Sequence, residues 1–262
     1  YNPIRMTNPT RHHLIFIFKL CFTAVVAYTI SECSGLFSVH LCALLKALPA
    51  ILCAICTYKL KQTAQMKEKI RHNAPSRYCL PIMVGLLLCA GGDFFLRLDQ
   101  SAAAAVDNNT PSPYFLCGLV SFLIGHLMFI VAFWLDGGNG MQIKWGVGIV
   151  VYIAVYLRYL LTNIADDDMV LKVGVCVYCV AIGTMLHRSL SLSFDAYPRV
   201  ESTLYATLGS AFFVVSDSIL AYDRFISPVP FAYIWVLGTY FPAIAFIASS
   251  CAGTNRWSAG WE

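Results

Sequence analysis

The sequence predicts an all-α fold: a polytopic membrane protein built as a bundle of eight transmembrane helices. Of the 262 residues, 58% are hydrophobic and only 12% are charged, whereas about 25% of a soluble domain is charged. The mean hydropathy of +0.67 and the repeated long apolar runs indicate several membrane spans, not one large core. The net charge of +4 is small, so the composition gives no indication of nucleic-acid binding.

Eight apolar runs are long enough to cross a bilayer, which takes about 20 helical residues. Backbone groups inside a bilayer must be paired within the protein, so each run is expected to be a helix. The connecting loops are short, and residues 1–262 are therefore expected to form a single transmembrane domain. The predicted spans are about 14–30, 37–58, 78–96, 114–134, 143–162, 169–187, 201–222 and 229–250.

The distribution of lysine and arginine predicts the orientation of the spans. Basic residues are concentrated at the N-terminus and in segments 59–77 and 188–199, whereas the alternate loops are acidic. Only Arg97 and Arg224 oppose this pattern. Both termini are therefore expected to be cytosolic, with the possible glycosylation site Asn108 on the other side of the membrane.

Two spans share a short pattern that predicts a weak internal repeat. The segments 92–99 and 216–223 each contain an aspartate, a leucine three residues later and a second aspartate six residues later. Four spans separate the segments, so the two helices run in the same direction. Chance similarity is the alternative.

Five ionisable side chains lie within the predicted spans, where each charge costs about 2.5–3.5 kcal/mol on insertion scales. Lys46, Asp93 and Asp217 lie well inside their spans, and His126 and Arg158 join them. With the predicted orientation, all five fall between the midplane and the non-cytosolic surface. We expect them to form a polar chamber that opens toward that surface or laterally to lipid.

Both aspartates also have purely structural interpretations. Asp93 could be neutralised by Arg97 one helical turn further on. Asp217 could accept hydrogen bonds from the neighbouring Ser216 or Ser218.

Similar alternatives apply to the other polar groups in the spans. Lys46 could extend its ammonium group toward the interface, and His126 could be a structural histidine of the bundle. Gly118, Ser121 and Gly125 share one helix face and indicate close helix packing, not catalysis.

A pair of aspartates in apolar surroundings is suited to acid–base chemistry. Apolar surroundings favour the neutral carboxyl, and two carboxyls that share a site do not readily ionise together. One can then donate a proton while the other remains charged. Because a site inside the bilayer is reached without leaving the membrane, the substrate is expected to be a lipid.

Five short motifs follow one another along residues 40 to 250. They are Lys46–Pro49, Gly92–Leu96, Gly118–Phe133 with His126, Phe212–Asp217, and Pro228–Pro230 followed by Thr239–Tyr240. Together they resemble the lysoplasmalogenase (YhhN-like) family of integral membrane proteins, and its animal branch in particular. The resemblance implies an eight-helix hydrolase of the endoplasmic reticulum that cleaves the vinyl ether bond of lysoplasmalogens without a metal or organic cofactor.

The resemblance also implies roles for individual residues. The family's aspartates correspond to Asp93 and Asp217, which are expected to be catalytic, one as proton donor and the other as base. Which of them is the acid stays open. The side chains expected to bind substrate or adjust the pKa values of the aspartates are Lys46, His126, Ser216, Tyr240 and Arg158.

One departure from the family pattern concerns the last motif. Relatives tend to have two tyrosines followed by a glutamine, whereas this chain has Tyr240-Phe241 and then Ile244. A polar role for the end of this motif is therefore in doubt.

Three other functions remain open alternatives. A proton-coupled transporter could use the aspartates as a relay, and a non-catalytic lipid-binding protein could hold a lipid without turnover. A zinc-dependent lipid amide hydrolase would need a histidine cluster that the sequence lacks. Membrane lipids and a lysophospholipid substrate are the expected partners, while oligomeric state and headgroup preference stay open.

Overall fold

A computed structural model describes residues 8–35, 37–71, 77–105, 112–136, 143–164, 168–195 and 200–252. Within these residues the chain forms eight α-helices and no strand, which confirms the predicted fold class. All eight are long and apolar enough to cross a membrane, so the chain is an integral, multi-pass membrane protein. The helices are α1 (Asn8–Ser34), α2 (Val39–Arg71), α3 (Cys79–Ala105), α4 (Pro113–Asp136), α5 (Ile143–Leu161), α6 (Met169–Asp195), α7 (Val200–Phe225) and α8 (Ala232–Ser250).

Successive spans run in opposite directions, so the bundle has two distinct ends. At one end α1 begins and α8 ends. We call the other the distal end; there α1, α3, α5 and α7 end and α2, α4, α6 and α8 begin. The predicted glycosylation site Asn108 belongs to the α3–α4 connection and lies outside the described residues.

Small residues let α3 and α4 approach closely, as predicted from the shared face of Gly118, Ser121 and Gly125. A Cβ atom on Gly125 would lie 3.2 Å from the carbonyl oxygen of Gly85 on α3. The Ser121 hydroxyl donates a 2.7 Å hydrogen bond to the carbonyl oxygen of Leu88. Such contacts are typical of helix pairs in membranes, where small side chains allow van der Waals packing of backbones.

Helix α5 lies at the periphery of the bundle. Only 6% of the residues in its membrane span are buried, against 28–50% in the other seven described spans. It packs against α6 and, less extensively, α7. Two tyrosines attach it to Ser218 of α7: the Tyr152 hydroxyl is 2.7 Å from the Ser218 hydroxyl, and Tyr156 donates to its carbonyl oxygen.

Helices α7 and α8 form another closely packed pair. Gly209 faces α8 so closely that a Cβ atom there would meet the carbonyl oxygen of Ala243 at 2.8 Å and the backbone nitrogen of Ile247 at 3.0 Å. This contact fixes α8 against α7, and with it the relative position of the polar side chains that both helices carry.

Candidate active site

A cavity of about 710 Å³ lies in the distal half of the bundle, and all eight helices contribute to its lining. This volume is within the 300–1,000 Å³ range of small-molecule sites. Most of the wall is apolar, and polar groups occur at the inner end and at the distal mouth. The apolar wall includes Leu119, Ile149, Ile153, Leu160, Val175 and Ile182.

The polar side chains at the inner end of the cavity share one depth. Each lies seven to nine residues from the distal end of its membrane span, which corresponds to about 10–14 Å along a helix. The sequence-based prediction placed three of them in one layer, and the structure brings all five to this cavity. They are Lys46, Asp93, Tyr178, Asp217 and Tyr240.

Asp93 lies near the middle of α3 and is only 2% exposed. The hydroxyl group of Tyr240 on α8 donates a 2.6 Å hydrogen bond to its Oδ2 atom. The ammonium group of Lys46, on α2, interacts with it electrostatically. The neighbouring Gly92 lets Phe122 pack against α3, because a Cβ atom there would overlap the Phe122 ring.

Asp217 occupies the corresponding position on α7, and its side chain is 15% exposed. Tyr178 of α6 donates a hydrogen bond to its Oδ2 atom. The Nε2 atom of His126 lies 4.0 Å from the same oxygen, beyond direct hydrogen-bond distance. Asp217 is close enough to Asp93 for the two carboxyl groups to interact electrostatically.

An aromatic cluster separates the two carboxyl groups from the core. Phe213 is central to it: its ring centroid is 4.7 Å from that of His126, 5.4 Å from that of Tyr240 and 6.4 Å from that of Phe122. The rings of Phe213 and His126 contact those of Tyr240 and Tyr178 respectively, and these contacts position the two tyrosine side chains. The arrangement resembles two similar half-sites, each an aspartate with a tyrosine from another helix.

The structural alternatives for the aspartates are not realised in the described structure. Arg97 binds both oxygens of Glu32, at 2.6 and 3.0 Å, and not Asp93. Ser216 donates to the carbonyl oxygen of Val236 and Ser218 to that of Val214, so neither serine donates to Asp217.

The remaining predicted site residues have different positions. Lys46, Ser216 and Tyr240 line the cavity. His126 is fully buried behind Asp217 and does not line it. The prediction that Arg158 joins the polar chamber is wrong: its side chain is exposed, three residues from the end of the peripheral helix α5, on a face that points away from the cavity.

Two polar residues that line the cavity were not identified from the sequence. Tyr178 is one of fourteen tyrosines, and nothing in its local sequence marks it as a partner of Asp217. Arg224 lines the distal mouth, where its Nη2 atom is 3.3 Å from Asp99. The sequence did contain an indication of Arg224, because it is one of the two arginines that oppose the charge pattern of the loops.

The described residues contain no group of three or more histidine, cysteine, aspartate or glutamate side chains that could hold a metal ion. The polar groups at the inner end of the cavity are carboxyls, hydroxyls and an ammonium group. This set suits proton transfer and charge stabilisation.

Comparison with known proteins identifies a family and individual proteins that this chain resembles in sequence. The model of the YhhN family matches residues 41–251. The lysoplasmalogenase TMEM86A of Bos taurus is 29% identical over 178 residues, 67% of this chain and 66% of the relative. TMEM86A of Homo sapiens is 30% identical with the same coverage, and TMEM86B of Sus scrofa, also a lysoplasmalogenase, is 28% identical over 68% of this chain and 75% of its own. The matched part of the chain thus spans about two thirds of the length of the two TMEM86A relatives and three quarters of that of TMEM86B. No solved structure matches it.

Proposed function

The chain belongs to the YhhN family, and from this premise we propose that it is a lysoplasmalogenase. It would hydrolyse the vinyl ether bond of a 1-alkenyl lysophospholipid to a fatty aldehyde and glycerophosphoethanolamine or glycerophosphocholine. The names of the relatives support this reaction. The observation that carries it is the pair of carboxyl groups, each hydrogen-bonded by a tyrosine, at the inner end of an apolar cavity.

The chemistry requires an acid and a negative charge close to one carbon–carbon double bond. Transfer of a proton to the β-carbon converts the vinyl ether into an oxocarbenium ion. Water attacks the α-carbon and gives up a proton to a carboxylate, which forms a hemiacetal. The hemiacetal then loses its glycerol oxygen as a hydroxyl group and leaves an aldehyde, so one water is consumed in total.

The surroundings of the two aspartates favour different roles for them. Asp93 has a cationic neighbour, Lys46, which interacts with it electrostatically and so stabilises a carboxylate there; Tyr240 also donates to it. Asp217 has no lysine or arginine partner among the described residues. We therefore assign proton donation to Asp217, and cation stabilisation and water activation to Asp93.

The test is aldehyde release from three lysophospholipids that share one headgroup and one chain length. The purified protein should cleave the 1-alkenyl compound and leave the saturated 1-alkyl ether and the 1-acyl ester intact, because only the vinyl ether can accept a proton on carbon. A chelator should not change the rate. The proposal fails if a folded, lipid-supplemented protein releases no aldehyde, or if it cleaves the ester equally well. In sealed vesicles, substrate movement without product would instead indicate a transporter.

The two tyrosines should matter for turnover without being essential. Tyr178→Phe and Tyr240→Phe each remove one hydrogen bond to a carboxyl group; such a bond is worth about 0.5–1.5 kcal/mol between neutral groups and about 1.5–3 kcal/mol when one group is charged. We expect Tyr240→Phe, at the charged Asp93, to lower kcat roughly 10- to 100-fold, and Tyr178→Phe, at the neutral Asp217, to lower it by up to about 10-fold. Tyr114→Phe is the matched control, because Tyr114 is exposed on α4 and lies outside the cavity. Unchanged kcat in both test variants would show that these hydroxyls do not act in the reaction.

We further propose that the protein resides in the endoplasmic reticulum with both termini in the cytosol. The concentration of lysine and arginine in alternate loops supports this orientation. With it, the distal end and the mouth of the cavity face the lumen. Labelling of single added cysteines at either end, in sealed microsomes, tests the orientation.

A further inference from the structure

A second polar region, which the proposed reaction does not use, lies at the distal mouth of the cavity. Arg224 and Asp223, the last charged residues of α7, both line it. We propose that Arg224 binds the phosphate and Asp223 the positively charged amine of a zwitterionic lysophospholipid headgroup. This inference rests on the proposed function, because it takes a lysophospholipid as the ligand.

Arg224 is held in place but keeps donors free for an anion. Its Nη2 atom is 3.3 Å from the Oδ2 atom of Asp99, and its guanidinium lies 4.9 Å from the ring centroid of Phe115. Asp99 is itself fixed, because Ser112 donates a 2.5 Å hydrogen bond to its other oxygen. A guanidinium has five N–H donors, and 32% of this side chain remains exposed.

Among the described residues, Asp223 is a carboxylate at the mouth that takes part in no ion pair. Its Oδ1 atom accepts a 2.8 Å hydrogen bond from the backbone nitrogen of Val229, and within the described part of the chain no basic side chain pairs with it. Glu32 and Asp99 both line or border the same mouth, but each already has an arginine partner, Arg97 and Arg224 respectively. The unpaired carboxylate therefore favours a ligand that also carries a positive charge.

The spacing along α7 matches the substrate. Arg224 lies seven residues after Asp217, on the same face and about 10 Å further along the helix. Its side chain leans back toward the N-terminus of the helix, as helical side chains do, which shortens the gap. Five covalent bonds separate the vinyl ether oxygen from phosphorus, and they span roughly 6 Å when extended. A phosphate on Arg224 thus brings the vinyl ether to Asp217.

This inference can be tested independently of turnover by measuring the binding of saturated 1-alkyl ethers, because the proposed reaction does not cleave them. The three ligands are 1-alkylglycerophosphoethanolamine, 1-alkylglycerophosphate and 1-alkylglycerol, used below their micelle concentrations with the full chain in nanodiscs. Arg224→Gln should raise the Kd of both phosphate-containing ligands about tenfold or more and leave that of alkylglycerol unchanged. Asp223→Asn should weaken only the phosphoethanolamine ligand and tighten the phosphate ligand.

Matched controls separate these effects from general loss of structure. Arg77→Gln alters an exposed arginine outside the cavity. Asp168→Asn alters an aspartate that also accepts a backbone hydrogen bond, from Leu171, but lies outside the cavity. If Arg224→Gln unfolds because it leaves Asp99 unpaired, the double variant Asp99→Asn/Arg224→Gln removes both charges together and should show the same ligand pattern.

The outcomes distinguish the headgroup site from the proposed reaction. Equal loss of all three ligands in Arg224→Gln, or equal loss of both phosphate-containing ligands in Asp223→Asn, would overturn the headgroup assignment. So would unchanged affinity in both variants. The expected binding pattern without aldehyde release from the 1-alkenyl lipids would support the headgroup site and reject the proposed reaction.

Discussion

Replacement of Asp217 by asparagine is expected to lower aldehyde release by a factor of about 10²–10⁴, the usual contribution of a positioned acid or base. Asparagine has nearly the same shape and keeps an oxygen that can accept the hydrogen bond from Tyr178. It lacks the proton that the β-carbon must receive. Asp93→Asn should cause a loss of the same order, because it removes the negative charge that stabilises the oxocarbenium ion.

The measurement is aldehyde formation coupled to alcohol dehydrogenase, with the thermal unfolding temperature recorded for each variant. Asp168→Asn is the control, and it should turn over at the wild-type rate. If Asp93→Asn lowers the unfolding temperature because Lys46 loses its carboxylate, the pair Lys46→Met/Asp93→Asn removes both charges. Turnover within threefold of wild type in either folded aspartate variant would exclude that residue from acid–base catalysis.

Among the proposed variants, Gly209→Val is expected to cause the largest loss in the free energy of unfolding. The new Cβ atom would meet the carbonyl oxygen of Ala243 at 2.8 Å and the nitrogen of Ile247 at 3.0 Å, and helix backbone cannot move aside as a flexible side chain can. Overpacking commonly costs 1–3 kcal/mol, and we expect about 3 kcal/mol or more here. Activity should fall with it, because Asp217 on α7 and Tyr240 on α8 would lose their relative positions.

Gly238→Ala provides the control on the same pair of helices. Gly238 is exposed, and a Cβ atom there meets nothing within 4 Å, so its free energy of unfolding should stay within about 1 kcal/mol of wild type. Titration with a denaturing detergent, followed by intrinsic fluorescence, measures both variants. A Gly209→Val protein as stable as Gly238→Ala would show that α7 and α8 do not pack as closely as described.

The sequence predicts how deep in the membrane a polar side chain lies far better than the direction in which it points from its helix. Depth follows from the fixed rise of a helix, so the common layer of Lys46, Asp93 and Asp217 could be derived by counting residues from the loops. Direction depends on how each helix is rotated about its axis. Helix α5 is apolar on nearly all sides, so nothing in its pattern shows that Arg158 points outward.

The sequence also does not indicate which side chains on different helices contact one another. Tyr178 meets Asp217 only because α6 packs against α7. Arg97 meets Glu32 only because their long side chains reach each other across the distal ends of α3 and α1. Close packing of α3 on α4 was predictable, because glycine and serine recur on one face of α4. Such a pattern lies within one segment, whereas an ion pair between segments requires the arrangement of the whole bundle.

The peripheral position of helix α5 has a consequence for the surrounding bilayer. Only 6% of the residues in its described membrane span are buried, so most of its surface faces lipid. The same helix contributes Ile149, Ile153 and Leu160 to the wall of the cavity, and it therefore lies between that part of the cavity and the membrane. Lateral pressure from the acyl chains acts on the cavity through this one helix, so we expect the lipid composition of the membrane to influence how readily a lipid reaches the two aspartates.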